Sequence, residues 1–425
     1  LTTDPKPRRL RRPILTLAGL ALAGSTAFLT WWTTTLTGLP DVGDPFDLRA
    51  FERPIPDDTN AYILYRKAAS LLPIEPDLPA NYDWKTAPPV QREWANRSRE
   101  ALAIWRTGTL RPDAAYINPA LINPETKLDV AQKLRSFVRL SLVEGSRLED
   151  AGDLDGSLEW SLAVLRCSRH CGRRGTIIER LIGMAIHRRA ATRLTRWAAD
   201  PRVDAARLRR ALGAAIAAQS ATSPISDSLK VEYLGMLHSL ADDALMVRLH
   251  DSQVVPNNQG GSTTVYGQGG WWSGVTRVGR RALHEPERSR RVIRMVFANW
   301  LAYADLPPSR RPPKVHGGTT NPTGPARTLL DDLYVVGDDA PGPARALPPE
   351  TLAGWFASTM DARMGLPPFS AIENAFDRER SAQAALLVAL ANELYQREHG
   401  QFPGRVEDLV GPYLKALPEG DSPPK

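Results

Sequence analysis

Over long stretches of this chain the apolar positions recur at the three-and-four-residue spacing of an amphipathic helix. Between 59 and 72, Ala61, Leu64, Ala68 and Leu71 share one face, with Asp57 or Asp58 as the capping residue. Trp94, Ala101, Leu102 and Trp105 mark a second helix over 90–106. The most regular region, 125–200, contains no proline. Its helices are expected over 130–151 (Leu134, Val138 and Leu142, with Phe137 beside them), 157–171 and 176–198 (Ile177, Leu181, Met184, Ile186). The turn Gly152-Asp153-Leu154-Asp155-Gly156 and the break at Gly172 to Gly175 separate them. Further helices are expected over 204–221, 226–250, 286–305, 329–335 and 370–399, the last ended by Gly400-Gln401-Phe402-Pro403 and followed by a small cap at 405–414. Helices joined by short turns stack as antiparallel hairpins, so the fold class read from the pattern is an all-α array. No strand set is visible, apart from a short hairpin that a Gly-rich loop at 254–279 could hold.

The amino-terminal pattern is different. From Pro13 to Pro40 there is no charged residue, and Ile14 to Trp32 is its most apolar part. Nineteen helical residues span roughly 28 Å, close to the hydrocarbon thickness of a bilayer. Lys6, Arg8, Arg9, Arg11 and Arg12 precede the stretch, and Trp31 and Trp32 close it. By the positive-inside rule the N-terminus lies in the cytoplasm and the bulk of the chain outside it, at the inner membrane. A cleaved signal peptide is the competing reading, since Ala21-Leu22-Ala23 and Ser25-Thr26-Ala27 each offer small residues before a cleavage point.

The expected organisation is therefore a basic tail at 1–12, a transmembrane anchor at 13–36 and an extracytoplasmic helical domain at 37–305 that includes the Gly-rich loop. A Pro/Gly-rich linker with short helices follows at 306–368, then a C-terminal helix and cap at 369–425. Net charge changes this picture little. The chain carries +7, of which the first twelve residues hold +4, so the remainder has too little excess for a surface that tracks phosphates. Nucleic acid is accordingly not an expected partner. Two cysteines exclude a disulfide framework.

Candidate chemistry is sparse. Glu149 to Gly156 is rich in acidic residues and Gly. Setting Gly156 at the sixth position of a calcium loop puts Ala151 at the first and Leu162 at the twelfth, where oxygen ligands are required. A helix cap explains these residues better. Cys167, His170 and Cys171 lie within one helical turn, with His187 the nearest fourth zinc ligand. Trp160, Val164, Cys167 and Cys171 also form an apolar stripe, in which cysteine packs as a small hydrophobe. His399 beside Glu398 suits a helix C-terminus. The pairs Asp242-Asp243 and Asp331-Asp332 point about 100° apart on a helix, as on a solvated face. Arg288, Arg290, Arg291 and Arg294 precede an apolar face that could lie on a membrane, although Phe297, Trp300 and Tyr303 suit a packed core. Trp271 and Trp272 are placed to dock on a partner or to be buried. No phosphate loop, dinucleotide fingerprint, zincin helix or nucleophile elbow is present, and no catalytic residue, cofactor-binding residue or metal ligand is assigned.

Two stretches carry resemblances. Residues 143–186, with an acidic-Gly turn between helices, a basic-Gly break and GTIIERL, resemble uncharacterised N-terminally anchored helical proteins of planctomycete-type bacteria, as does NWLAYADLPPSRRPP at 299–313. The turn is similar to a tetratricopeptide hairpin, with Gly145, Leu148 and Gly152 at fitting spacing. Residues 389–418 resemble the helix and cap of type II secretion pseudopilins through Tyr395, Gly400, Phe402, Pro403, Leu409 and Leu414. Pseudopilins carry that unit near their membrane helix, so here it implies a local packing motif. No activity is known for the helical family. The expectation is a non-catalytic envelope scaffold that holds a protein partner on a tetratricopeptide-like surface, the alternative being an extracytoplasmic hydrolase whose site forms only on folding.

Overall fold

A computed structural model of the chain describes residues 22–30, 38–77, 82–123, 125–126, 129–250, 253–256, 262–265, 279–280, 284–315, 329–336, 348–359, 361–362 and 366–417. These residues are predominantly helical. The helices are α1 (Ala61–Leu71), α2 (Pro89–Arg97), α3 (Arg99–Gly108), α4 (Asp129–Asp150), α5 (Leu154–His170), α6 (Ile177–Ala198), α7 (Ala205–Ser220), α8 (Ile225–Ala241), α9 (Asp243–His250), α10 (Glu285–Tyr303), α11 (Pro349–Ala357) and α12 (Phe369–His399). One antiparallel hairpin, β1 (Gln253–Pro256) with β2 (Ser262–Val265), sits within the Gly-rich stretch, Val254 opposite Thr264. The rest of that stretch, including Trp271 and Trp272, lies outside the described residues, as do the basic tail, much of the 306–368 linker and the residues after 417.

Among the described residues no helix is long and apolar enough to cross a membrane. The segment expected to do so, 13–36, is described only over 22–30, which is helical and leaves Leu22, Phe28 and Leu29 exposed by half or more.

The chain divides into two discontinuous units. The larger comprises 46–238, 299–314 and 367–425. Its centre is the run α4–α5–α6. The Nε1–H of Trp197, near the end of α6, donates to Leu154 O at the start of α5 (3.1 Å), so α5 and α6 are antiparallel. A Cβ on Gly145, near the end of α4, would lie 3.5 Å from Trp160 Cβ in early α5, so that pair is antiparallel too. Helices α1, α3, α7 and α12 pack around this run and share one apolar core. At its heart Trp105 stacks on Phe137 (centroids 5.9 Å apart, planes at 7°), and Tyr65 stacks on Trp105.

The caps follow local chemistry. Asp153, Thr176 and Asp204 each accept a backbone N–H from the first turn of α5, α6 and α7, and Thr176 with Glu179 completes a capping box. Helix α1 is capped by Asn60, and not by Asp57 or Asp58; its side chain also bridges to the backbone of Ala115. The helix expected over 90–106 is two. It breaks at buried Ser98, whose hydroxyl donates to Trp94 O. The helix expected over 226–250 also breaks, because the Asp242 carboxylate accepts from the N–H groups of Ala244 and Leu245 and starts α9. Residues 329–330 are helical and 331–333 turn, shorter than the helix expected over 329–335.

The turn between α5 and α6 depends on Gly172. Its φ is +79°, and a Cβ there would lie 2.6 Å from the Arg180 Cα. Left-handed strain and a clash with backbone act together, so Gly172→Ala is expected to cost roughly 2–4 kcal/mol. Gly152 has a φ of +86° and open space around it. Gly152→Ala should cost only about 1 kcal/mol. Urea unfolding of both variants checks the difference; equal losses would mean that the close approach to α6 does not matter.

The smaller unit comprises 1–45, 239–298 and 315–366. Its polar centre is Arg280, 2% exposed, held by Asp361 (2.6 Å) and Asp243 (2.9 Å). Glu285 ties in the backbone of Asp361 and the hydroxyl of Ser289.

Candidate functional site

Helices α5, α6 and α12 bring an unusual set of charged side chains into the interior of the larger unit. Arg169 on α5 donates to Glu379 Oε1 (3.0 Å), and Arg180 on α6 to Glu379 Oε2 (2.5 Å). All three are 5% exposed or less. Two guanidinium groups thus share one carboxylate, which leaves a buried positive charge. Neither Arg169 Nε nor Arg180 Nε has a hydrogen-bond partner. Burial pulls Arg169 down to about 10 against the opposing pull of Glu379. His187 follows Arg180 by two helical turns, is 1% exposed, and its Nδ1 is unpartnered. Burial first, then the charges of Arg169, Arg180 and Arg188, push its pKa down to about 3. It is a neutral imidazole at physiological pH.

One turn from the end of α6, Arg193 reaches Glu149 of α4 and Ser157 of α5, fixing the ends of these helices. At the start of α6, Glu232 accepts from Ile177 N (2.8 Å) beside the capping carboxylate of Glu179. Burial raises the pKa of both. The helix N-terminus offsets part of that burden.

The Cys167–His170–Cys171 group is part of the aromatic core. Tyr65 Oη and His170 Nδ1 are 2.7 Å apart, and the imidazole also meets the backbone of Arg111. Burial and Arg173 push His170 down to about 4. Both thiols are buried and unoxidised, and the Cys171 thiol is pushed well up by its hydrogen bond to Cys167 and by burial. His187 lies with the arginines and is not drawn into this group. Among the described residues no three His, Cys, Asp or Glu side chains are arranged to hold a metal ion.

A separate open cleft of about 450 Å³ runs along α3 toward α4 and α5. Leu102, Ala103, Leu110, Leu140 and Trp160 form its apolar wall. Arg106 lies over the Trp160 ring at 4.6 Å, and Arg99 stands on the same rim. Leu110 is 66% exposed.

The other candidates resolve into structural roles. Asp155, in the acidic turn, pairs with Arg207 and Arg210. Asp242 is a helix cap and Asp243 a partner of Arg280, so that pair is divided between two tasks. Asp331 is exposed and Asp332 buried, unlike a face solvated throughout. Arg290 and Arg291 pair with Glu287, and Arg294 with Asp41 and Asp44, whereas Arg288 reaches Ser358 and Glu285. His399 packs on Tyr395 (4.2 Å), while Tyr413 donates to Glu398 (2.6 Å). That packing closes the C-terminal cap onto α12.

No family model, no curated protein and no solved structure matches this chain.

Proposed function

We propose that this protein is an envelope protein, tethered by its amino-terminal segment, that works by holding a partner and not by catalysis. The observation that carries the reading is the open cleft beside α3, where an apolar wall that includes half-buried Trp160 lies under a rim of Arg99 and Arg106. Buried aromatics flanked by arginine are the usual anchors of protein interfaces. The partner segment such a cleft fits is amphipathic and acidic, its apolar face on Trp160 and its carboxylates on the two guanidinium groups. The hairpin run α4–α5–α6 supplies a rigid wall for it, in keeping with the tetratricopeptide-like turn at Gly152. The tether rests on the uncharged stretch 13–40 behind five basic residues.

The test uses the full-length protein in its own envelope, with a photoreactive phenylalanine replacing Leu110. One discrete adduct, carrying Asp- or Glu-rich peptide and abolished by Arg106→Glu and by Trp160→Ala, is expected. Adducts indifferent to both substitutions would sink the reading. In the same preparation the intact chain should sediment with membranes and resist salt extraction. A soluble chain shortened near Ala27 would instead mean a cleaved leader.

A further inference from the structure

We propose that the cleft between α6 and α12 is a binding site for a small organic oxyanion, a phosphate monoester with a short apolar body, with His187 as its concealed hydrogen-bond donor. This site is independent of the cleft beside α3 and shares no residue with it.

The cleft encloses about 340 Å³ within the larger unit. Its lining combines His187 and Glu379 with Arg188 and Arg378, and with Leu181 and Met184 on the apolar side. The charge balance points to an anion. Both oxygens of Glu379 are already committed to Arg169 and Arg180. Arg188 and Arg378 stand exposed, and only Arg378 Nε has a contact on its own helix, with Asn374 O (3.2 Å). The cleft is therefore lined by two guanidinium groups, Arg188 and Arg378, and by one carboxylate that is already committed to two others. Positive side chains gathered at the mouth of a cleft draw an anion toward it.

His187 is the second, independent sign. Its ring is 1% exposed, it lines the cleft, and Nδ1 has no partner. Nδ1 is sealed from solvent, so the ring nitrogen left to face the cleft is Nε2. In a field made by Arg169, Arg180 and Arg188 the imidazole stays uncharged, and a neutral ring can still present one N–H to an anion. An oxyanion seated there would take that N–H and charge-assisted bonds from Arg188 and Arg378 at the mouth. Leu181 and Met184 leave room for a short alkyl or aryl body rather than a bare ion.

The experiment measures thermal unfolding and calorimetric binding of the full chain at constant ionic strength, with three probes: inorganic phosphate, n-butyl phosphate and butyrate. Butyl phosphate is expected to raise the melting temperature and to bind at least threefold tighter than phosphate, with butyrate weakest. The double variant Arg188→Gln/Arg378→Gln removes only exposed side chains, so it should fold normally. It is expected to lose at least tenfold in affinity for butyl phosphate. Arg209→Gln, at a surface pair with Glu398 elsewhere, should bind as the parent does. In ¹⁵N spectra the ring signals of His187 should move on adding butyl phosphate. No binding by any probe, undiminished binding by the double variant, or an unmoved His187 signal would each overturn the assignment. Equal affinities for phosphate and butyl phosphate would overturn the apolar part of the ligand.

Discussion

Glu379→Gln is expected to destabilise the larger unit by about 3–5 kcal/mol, a large share of the stability of an ordinary domain. The carboxylate is the shared partner of Arg169 and Arg180, and both guanidinium groups are almost wholly buried. Replacing it with a neutral amide keeps the shape and removes the charge that, among the described residues, offsets them. The loss should be read from urea unfolding at neutral pH. Arg207→Gln, which breaks solvent-exposed pairs with Asp155 and Asp204, is the comparison and should cost far less. If the two variants lost the same amount, the buried positions of the arginines would have no energetic meaning. Restoring most of the stability with Arg169→Met in the Glu379→Gln background would confirm that the cost is unpaired charge and not lost packing.

Acidification is expected to unfold the larger unit well before its surface carboxylates alone would do so. His170 and His187 are held neutral, at about 4 and about 3, against an ordinary value near 6.5. Their folded-state values are depressed, so the unfolded chain binds protons first as the pH falls. The stability they support is complete above about pH 6.5 and is lost progressively on the way down to pH 3–4. A tenfold change in proton affinity is worth about 1.4 kcal/mol, which puts the combined loss on the order of 8 kcal/mol. Glu179 and Glu232 act the other way. Burial raises their values, so the cost of ionising them is relieved as the pH falls from those raised values to the ordinary carboxylate range, and this offsets part of the loss there. The net result is a fall in the unfolding midpoint that begins near pH 6.5, is eased where the two glutamates take up their protons, and continues to about pH 3–4. Urea titrations at half-unit pH intervals measure it. His187→Gln should flatten the upper part of that curve, and a curve of unchanged slope would mean that the imidazole is not held neutral.

Most helices were legible in the sequence because their apolar faces keep period over four or more turns, as in α4 and α6. The two missed breaks share one cause. At Ser98 and Asp242 the apolar spacing runs on across the interruption, and the break comes from a polar side chain that bonds to nearby backbone. The capping of α1 was misread for a similar reason. Asn60 wins over two nearby aspartates because its amide also meets Ala115, a contact made across 55 residues. The buried charge cluster was not legible. Arg169, Arg180 and Glu379 are separated by up to 210 positions, and no motif links them. One signal was available within α6. Arg180 and His187 fall on the same register as Ile177, Met184 and Leu194, so polar groups stand among positions that the helix buries. Such residues must find partners inside the fold. The cleft beside α3 gave a weaker trace, because Trp160 was read only as part of a stripe and α2 and α3 were read as one helix.

The discontinuity of the larger unit has a consequence for how the chain assembles. Helices α4, α5 and α6 are neighbours in sequence and can pair as soon as they leave the ribosome. The helix that neutralises Arg169 and Arg180 is made about two hundred residues later, after the whole of the smaller unit's 239–298 and 315–366 segments. Until α12 docks, the nascent hairpins present two arginines beside an uncovered apolar seam. Closing so long a loop adds little to the entropic cost of folding but delays the event that rewards it. The last long helix therefore acts as a completion check: a chain interrupted before it has an α5–α6 face that is both greasy and cationic, a surface that quality-control proteases and chaperones are well suited to recognise.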